Sequence, residues 1–123
     1  MRLLLDSHVV LWWDTDLTKL SDAQRLGIGN PRNEVFVSAV SPWELGIKRA
    51  SGKVSFAEPI EALVDRFRFQ KLAITMAHGE LAASLPLRHK DPFDRMLVAQ
   101  AIFEGMVLVT ADVRLGEYAV KLL

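Results

Sequence analysis

Short apolar runs alternate along the chain with longer stretches whose apolar residues recur at helical spacing. Leu3 to Leu5 and Met106 to Val109 are continuous apolar runs, which is the pattern of strands buried on both faces. Val35 to Val40 is rich in β-branched residues and predicts another strand. A short strand is predicted over Leu72 to Ile74, and Ala119 to Leu123 is expected to form a last strand at the edge.

Helix-capping signals mark the segments between these strands. Ser21 and Gln24 form a capping box, and the segment Ser41-Pro42-Trp43-Glu44 has the same form, with Ser41 as the N-cap and Glu44 at the third helical position. Asp91 is expected to cap a further helix. The predicted helices span about residues 7–13, 22–27, 42–50, 59–69, 76–85 and 92–104.

Strands that alternate with helices indicate an α/β protein with a central parallel sheet and right-handed crossovers. The chain has 123 residues, half of them hydrophobic, which suits a single domain over residues 1–123 with one substantial core. We therefore predict a doubly covered sheet, with helices on both faces.

Composition excludes several classes of protein. There is no cysteine, so disulfides, zinc–thiolate sites and thiol nucleophiles are ruled out. No run approaches the roughly 18 apolar residues of a membrane-spanning helix, and the apolar run after Met1 ends too early for a secretory signal, so we expect a cytoplasmic protein. Lys and Arg balance Asp and Glu at 15 each, and any attraction for nucleic acid must therefore be local.

Four acidic residues follow or closely trail apolar runs where helices are predicted to begin: Asp6, Glu44, Asp94 and Asp112. Sheets of this kind place their chemistry outside the carboxyl ends of the strands, so the four side chains should meet at one rim. Two unit charges about 4 Å apart repel by roughly 4 kcal/mol at an effective dielectric constant near 20. Protons or a divalent cation must relieve that repulsion, and Mg²⁺ and Mn²⁺ prefer oxygen ligands. The pattern favours a metal-dependent enzyme that hydrolyses a phosphate ester.

Each acid also has a purely structural explanation. Asp6 and Asp112 could cap helices or turns, and Glu44 and Asp94 would complete capping boxes at the third helical position. Capping does not require acids, however, as Ser21 with its glutamine partner shows. Four acids at four equivalent places are better explained by one shared site.

Other polar residues near these acids have weaker signals. The Thr110 hydroxyl could orient a site carboxylate, Asp91 is favoured as an N-cap over a metal ligand, and Arg95 could pair with a site acid or hold phosphate. The basic residues around Lys48 and Lys90 could guide the phosphates of a nucleic acid or simply be solvated. The three histidines, His8, His78 and His89, are expected to be packing or surface residues. The three tryptophans, Trp12, Trp13 and Trp43, are expected to lie in the core, or alternatively to contact a partner.

Several segments together resemble the PIN-domain proteins, and most closely the VapC-type toxins of bacterial toxin–antitoxin pairs. The segments are Leu-Leu-Leu-Asp6-Ser7-His8, Ser41-Pro42-Trp43-Glu44, His89-Lys90-Asp91-Pro92-Phe93-Asp94-Arg95 with the Ala-rich helix after it, and Leu108-Val109-Thr110-Ala111-Asp112.

The resemblance covers nearly the whole chain and implies a strand order of 3-2-1-4-5. It implies an endoribonuclease that uses one or two Mg²⁺ or Mn²⁺ ions held by Asp6, Glu44, Asp94 and Asp112, with Thr110 as the accompanying hydroxyl residue. It further implies a homodimer and a VapB-type antitoxin, through which alone the protein would contact DNA.

Two functions other than RNA cleavage fit parts of the sequence. A PIN-like module that binds RNA or a protein without cutting should have lost a site acid, whereas all four acids are present. A phosphotransfer receiver domain would need a paired acid beside Asp6 and an acceptor Asp after the strand ending near Ile74, and neither is found.

Overall fold

The computed structural model describes all residues from 1 to 123 as an alternation of strands and helices. The strands are β1 (Arg2–Leu5), β2 (Glu34–Ser38), β3 (Gln70–Leu72) and β4 (Val107–Val109). The helices are α1 (Ser7–Thr15), α2 (Asp22–Gly29), α3 (Val40–Ala50), α4 (Ile60–Arg66), α5 (Met76–Ser84) and α6 (Pro92–Glu104). Short 3₁₀ turns lie at Leu17–Lys19 and Val113–Glu117. None of the helices is long and apolar enough to cross a membrane.

The strands form one parallel sheet in the order β3-β2-β1-β4. This confirms the predicted α/β class and the first four positions of the predicted order. The predicted fifth strand over Ala119 to Leu123 is wrong as a strand, because only a single parallel bridge joins Leu108 to Leu122. The tail does lie beside β4, where the amide of Leu123 donates to the carbonyl of Leu108, but it is too short to extend the ladder.

Strand β1 lies at the centre of the molecule, and its apolar residues build both halves of the core. Leu3 and Leu5 belong to a cluster on one face, while Leu4 belongs to the cluster on the other face. Successive side chains of a strand point to opposite faces, so a continuous apolar run is what a doubly covered strand requires. All three leucines are fully buried, which fixes the position of the residue that follows them.

Helix α6 begins as the sequence predicts. The Asp91 carboxylate accepts hydrogen bonds from the amides of Phe93 and Asp94, at 2.8 and 3.2 Å, and Pro92 occupies the first helical position. Gly105 ends the helix in the left-handed conformation, at φ 67°, where a side chain would be strained.

Helix α3 begins earlier than predicted, and the predicted N-cap role of Ser41 is wrong. The helix starts at Val40, whose amide donates to the Ser38 hydroxyl at 3.0 Å, so the last residue of β2 supplies the local bond. The hydroxyl of Ser41 instead pairs with that of Ser7 at 2.9 Å inside the molecule. Glu44 therefore lies in the second turn of α3, and its carboxylate has no capping function.

Candidate active site

Asp6 follows β1 directly, and its side chain turns into a cleft at the carboxyl rim of the sheet. Although Asp6 occupies the N-cap position of α1, its carboxylate makes no capping hydrogen bond. It accepts a bond of 2.8 Å from the hydroxyl of Thr110, which follows the neighbouring strand β4. Burial raises the pKa of Asp6, while the Thr110 bond opposes that rise and the nearby charge of Glu44 adds to it.

Glu44 is only 1% exposed, which is unusual for a glutamate. One of its carboxylate oxygens, Oε2, lies 2.5 Å from the Lys48 ammonium one helical turn later. The other oxygen, Oε1, is buried without any hydrogen-bond partner. An orphaned, buried carboxylate oxygen is costly, and one that lines an acidic cleft is suited to receive a cation.

Asp94 lies at the third position of α6 and carries the strongest sign of crowded negative charge. Its pKa is raised to about 7, first by burial and then by the charges of Asp6, Asp91, Glu44 and Asp112. Without a cation, the carboxyl group of Asp94 is therefore close to half protonated at neutral pH. The repulsion expected between convergent acids is thus evident at this residue.

Asp112 has both a structural contact and a place in the cleft. Its carboxylate accepts bonds from the amide and the guanidinium of Arg114, at 2.8 to 3.0 Å, so its predicted turn-capping role is confirmed. The guanidinium lowers the pKa of Asp112. The backbone amide of Asp112 donates to the Thr110 hydroxyl at 3.0 Å, so Thr110 connects the acids that follow β1 and β4.

These side chains line one open cleft of about 400 Å³. All four predicted acids line it, together with Asp91, whose N-cap role is confirmed. The complete lining is Asp6, His8, Trp12, Glu44, Lys48, Asp91, Asp94, Ala111 and Asp112. Five carboxylates with one lysine leave an excess of negative oxygens, which is the donor set that a hard divalent cation binds.

Lys48, which lines the cleft, and His89, which lies beside it next to two of the site acids, are not predicted from the sequence to belong to the site. Lys48 was assigned to an RNA-guiding or solvated basic group, but its ammonium contacts Glu44 and lies 3.1 Å from the His8 ring. Burial lowers the pKa of Lys48, but the hydrogen bond and charge of Glu44 outweigh it and the net pKa is raised. The four-residue spacing from Glu44 could have revealed this pair.

His89 is predicted to be a packing or surface residue, and its side chain is largely buried, at 10% exposure. Its ring lies between two site acids, with Nδ1 3.9 Å from Asp94 Oδ2 and Nε2 3.7 Å from Asp112 Oδ2. No signal in the sequence could have placed it, because the residue belongs to a loop whose path is set by distant contacts. His78, by contrast, is buried as predicted and caps α5 together with Thr75.

Arg95 has a structural function, so its predicted pairing with a site acid is wrong. Its guanidinium donates to the carbonyls of Ala82, Leu85 and Pro86, which end α5 and begin the following loop. The residue follows Asp94 in sequence, but the helix turns its side chain to another direction.

Two of the three tryptophans pack against the core as predicted, and the third does not. Trp13 packs partly buried against the core, and Trp12 does the same while also lining the cleft. Trp43 is 63% exposed, so the expectation of a core position is wrong for it. Its ring meets Phe93 edge to face with the centroids 4.9 Å apart, which holds an aromatic surface in solvent.

The fold and the site define an α/β protein with an acidic cleft at the carboxyl rim of a parallel sheet. The chain belongs to the PIN domain family, whose family model matches residues 3–121. Among curated proteins it is similar to Ribonuclease VapC22 of Mycobacterium tuberculosis (strain ATCC 25618 / H37Rv). The two are 34% identical over 118 residues, which cover 94% of this chain and 90% of that protein.

Solved structures share the fold at lower sequence identity. VapBC2 from Rickettsia felis, bound to a promoter DNA fragment, matches with a TM-score of 0.71 and 19% identity over 100% of this chain and 98% of the other. VapBC-1 from nontypeable Haemophilus influenzae matches with a TM-score of 0.62 and 20% identity over 100% and 97% of the two chains. A toxin–antitoxin complex from Klebsiella pneumoniae matches with a TM-score of 0.61 and 16% identity, over 98% of this chain and 95% of the other.

Proposed function

We propose that this protein is a metal-dependent endoribonuclease and the toxin of a toxin–antitoxin pair. The observation that carries the proposal is the convergence of Asp6, Glu44, Asp94 and Asp112 on one cleft. The similarity to a ribonuclease over 94% of the chain supports the choice of RNA as the substrate. The proposed reaction is hydrolysis of a phosphodiester bond within an RNA strand.

The cleft suits Mg²⁺ or Mn²⁺. The unpartnered Glu44 Oε1 and the raised pKa of Asp94 are both features that a bound dication would relieve. We assign Asp6, Glu44, Asp94 and Asp112 as the residues that would hold the ion. When bound, the ion would supply Lewis-acid stabilisation of the charge that develops on the phosphate and an increase in the acidity of an attacking water.

The protein's own residues prepare the cleft for this chemistry. The Thr110 hydroxyl orients the Asp6 carboxylate and favours its ionised form. Lys48 balances the buried charge of Glu44 and keeps that side chain extended toward the cleft. Asp94 gives up its proton near neutral pH, so the cleft gains negative charge over the physiological range.

We further propose that a VapB-type antitoxin holds the toxin inactive and that the chain acts as a homodimer in the cytoplasm. The fold it shares with two VapBC structures and a toxin–antitoxin complex supports the first part. Contact with DNA would come only through the antitoxin. The exposed Trp43 beside the acidic rim offers an aromatic surface of the kind enriched in protein interfaces.

RNA cleavage by purified protein tests the proposed activity. We expect a panel of fluorescent structured RNAs with Mn²⁺ to include a substrate that the wild type cuts, and the Asp6→Asn variant to leave that RNA intact. Asp22→Asn is the matched control, because it makes the same chemical change on a side chain that is 88% exposed and outside the cleft. Cleavage by Asp6→Asn as well, or by none of the proteins, would favour contamination or a non-catalytic binding module.

A further inference from the structure

We propose that His89 is a nitrogen ligand of the metal site, which makes the cleft select a transition-metal ion such as Mn²⁺ over Mg²⁺. The inference deepens the proposed function, because it concerns the ion that the four acids would hold. It assigns to the cleft a mixed nitrogen and oxygen donor set in place of carboxylates alone.

The geometry places the imidazole among the acids without giving it a partner. Both ring nitrogens face carboxylate oxygens, of Asp94 at 3.9 Å and of Asp112 at 3.7 Å. These distances exceed the hydrogen-bond range, and Nε2 is buried with no partner at all. The His89 side chain is only 10% exposed, so water does not readily satisfy it.

The donor atoms of these three residues are close enough to share an ion. One atom each from His89, Asp94 and Asp112 lie within 4.8 Å of one another. Metal–ligand bonds of about 2.0 to 2.2 Å place opposite ligands about 4.2 Å apart, so small side-chain movements would close the site. Two carboxylates held near an unpartnered imidazole nitrogen supply both oxygen and nitrogen ligands, a mixed donor set of the kind that transition-metal ions bind.

The loop that carries His89 is fixed through its backbone. The amide of His89 donates to the hydroxyl of Tyr118 at 2.8 Å, and its carbonyl accepts from the guanidinium of Arg95 at 3.4 Å. The same guanidinium holds the carbonyl of Pro86 at 3.0 Å. These bonds do not involve the imidazole, so the scaffold positions the ring while leaving both of its nitrogens free.

The donor chemistry predicts the selectivity. Mg²⁺ favours an all-oxygen shell and keeps its waters, whereas a transition-metal ion such as Mn²⁺ accepts an imidazole nitrogen more readily than Mg²⁺ does. A competing interpretation is that His89 is a protonated counter-ion between Asp94 and Asp112. In that case a cation would displace it, and no nitrogen would be bound to the metal.

Pulsed electron paramagnetic resonance of bound Mn²⁺ separates the two interpretations. We expect wild-type protein loaded with Mn²⁺ to show coupling to a histidine nitrogen, identified by its change on ¹⁵N-histidine labelling. His89→Gln should abolish that coupling. In a competition titration it should also weaken Mn²⁺ binding by about 10- to 100-fold, the range found even for lost outer partners of metal ligands, with little change for Mg²⁺.

His8→Gln is the matched control, because it removes the imidazole that lines the cleft itself. The chain has three histidines, and His78 is buried in the cap of α5. Nitrogen coupling that persists in His8→Gln therefore assigns the ligand to His89, even if His89→Gln fails to fold. Coupling absent from the wild type, lost in His8→Gln, or retained in folded His89→Gln would overturn the inference. RNA cleavage without nitrogen coupling would reject the His89 ligand and leave the nuclease proposal standing.

Discussion

The hydrogen bond from Thr110 to Asp6 gives the sharpest prediction about the site. Thr110→Val preserves the shape of the side chain and removes the hydroxyl that donates to Asp6 Oδ2 at 2.8 Å. It also removes the acceptor of the Asp112 amide. The backbone bonds of Thr110 to Gln24 and Leu123 do not depend on the side chain, so the fold around the site should survive.

The magnitude follows from the environment of Asp6. A hydrogen bond to a charged group is typically worth about 1.5 to 3 kcal/mol, which corresponds to about 1 to 2 pKa units at 1.36 kcal/mol per unit. The bond now holds down a pKa that burial raises, so its loss must raise the pKa of Asp6 further. If ionised Asp6 is needed, loss of the bond should reduce cleavage most at the acid end of the pH range, where protonation of Asp6 competes with catalysis.

The assay is the pH dependence of RNA cleavage at saturating Mn²⁺, with Thr110→Ser as the control that keeps the hydroxyl. We expect the acid limb of the Thr110→Val profile to move to higher pH by about 1 to 2 units, and Thr110→Ser to resemble the wild type. Superimposable profiles for the valine and serine variants would refute the reasoning, since the hydroxyl would then have no influence on the ionisation that controls activity.

Three further predictions concern stability and charge. Because the pKa of Asp94 is raised in the folded protein, the melting temperature of metal-free protein should fall as pH rises from about 4 through about 7. Asp94→Asn should make the melting temperature depend less on pH, and an unchanged dependence would show that Asp94 is not the group responsible. Lys48→Met leaves the buried Glu44 charge unpaired, so we expect a loss of about 1 to 3 kcal/mol by urea unfolding in chelator, with Mn²⁺ restoring more stability than it adds to the wild type. Gln24→Leu removes the donor to the carbonyls of Thr110 and Leu123 and should cost about 1 to 3 kcal/mol in the same assay, and an unchanged midpoint would show that these carbonyls find other partners.

The sequence carried enough information to place three of the four acids. Continuous apolar runs end at Leu5 and Val109, and in a parallel sheet those ends share a rim, so Asp6 and Asp112 could be assigned to one edge from pattern alone. The position of Asp94 at the start of α6 followed from the Asp91-Pro92 pair that caps this helix, a local signal that tertiary contacts do not alter.

The remaining features depend on contacts between segments distant in sequence. His89 reaches the cleft because Tyr118 and Arg95 hold its loop, and neither contact has a local signature. Helix α3 begins at Val40, whose amide donates a hydrogen bond to the Ser38 hydroxyl. The local sequence fits an N-cap at Ser41 equally well, so it does not distinguish the two starting points. The predicted fifth strand is reduced to one bridge, at Leu122, because only Lys121 and Leu123 form backbone hydrogen bonds to β4 and to Thr110 after it.

The anomalous scattering of Mn²⁺ in a crystal grown with the ion would show whether the four acids bind one cation in the cleft. We expect a peak in the cleft within coordination distance of carboxylate oxygens of Asp6 and Asp94, with Glu44 and Asp112 directed toward the same density. An empty cleft at saturating Mn²⁺, or acids turned away from one another toward separate backbone amides, would contradict this expectation.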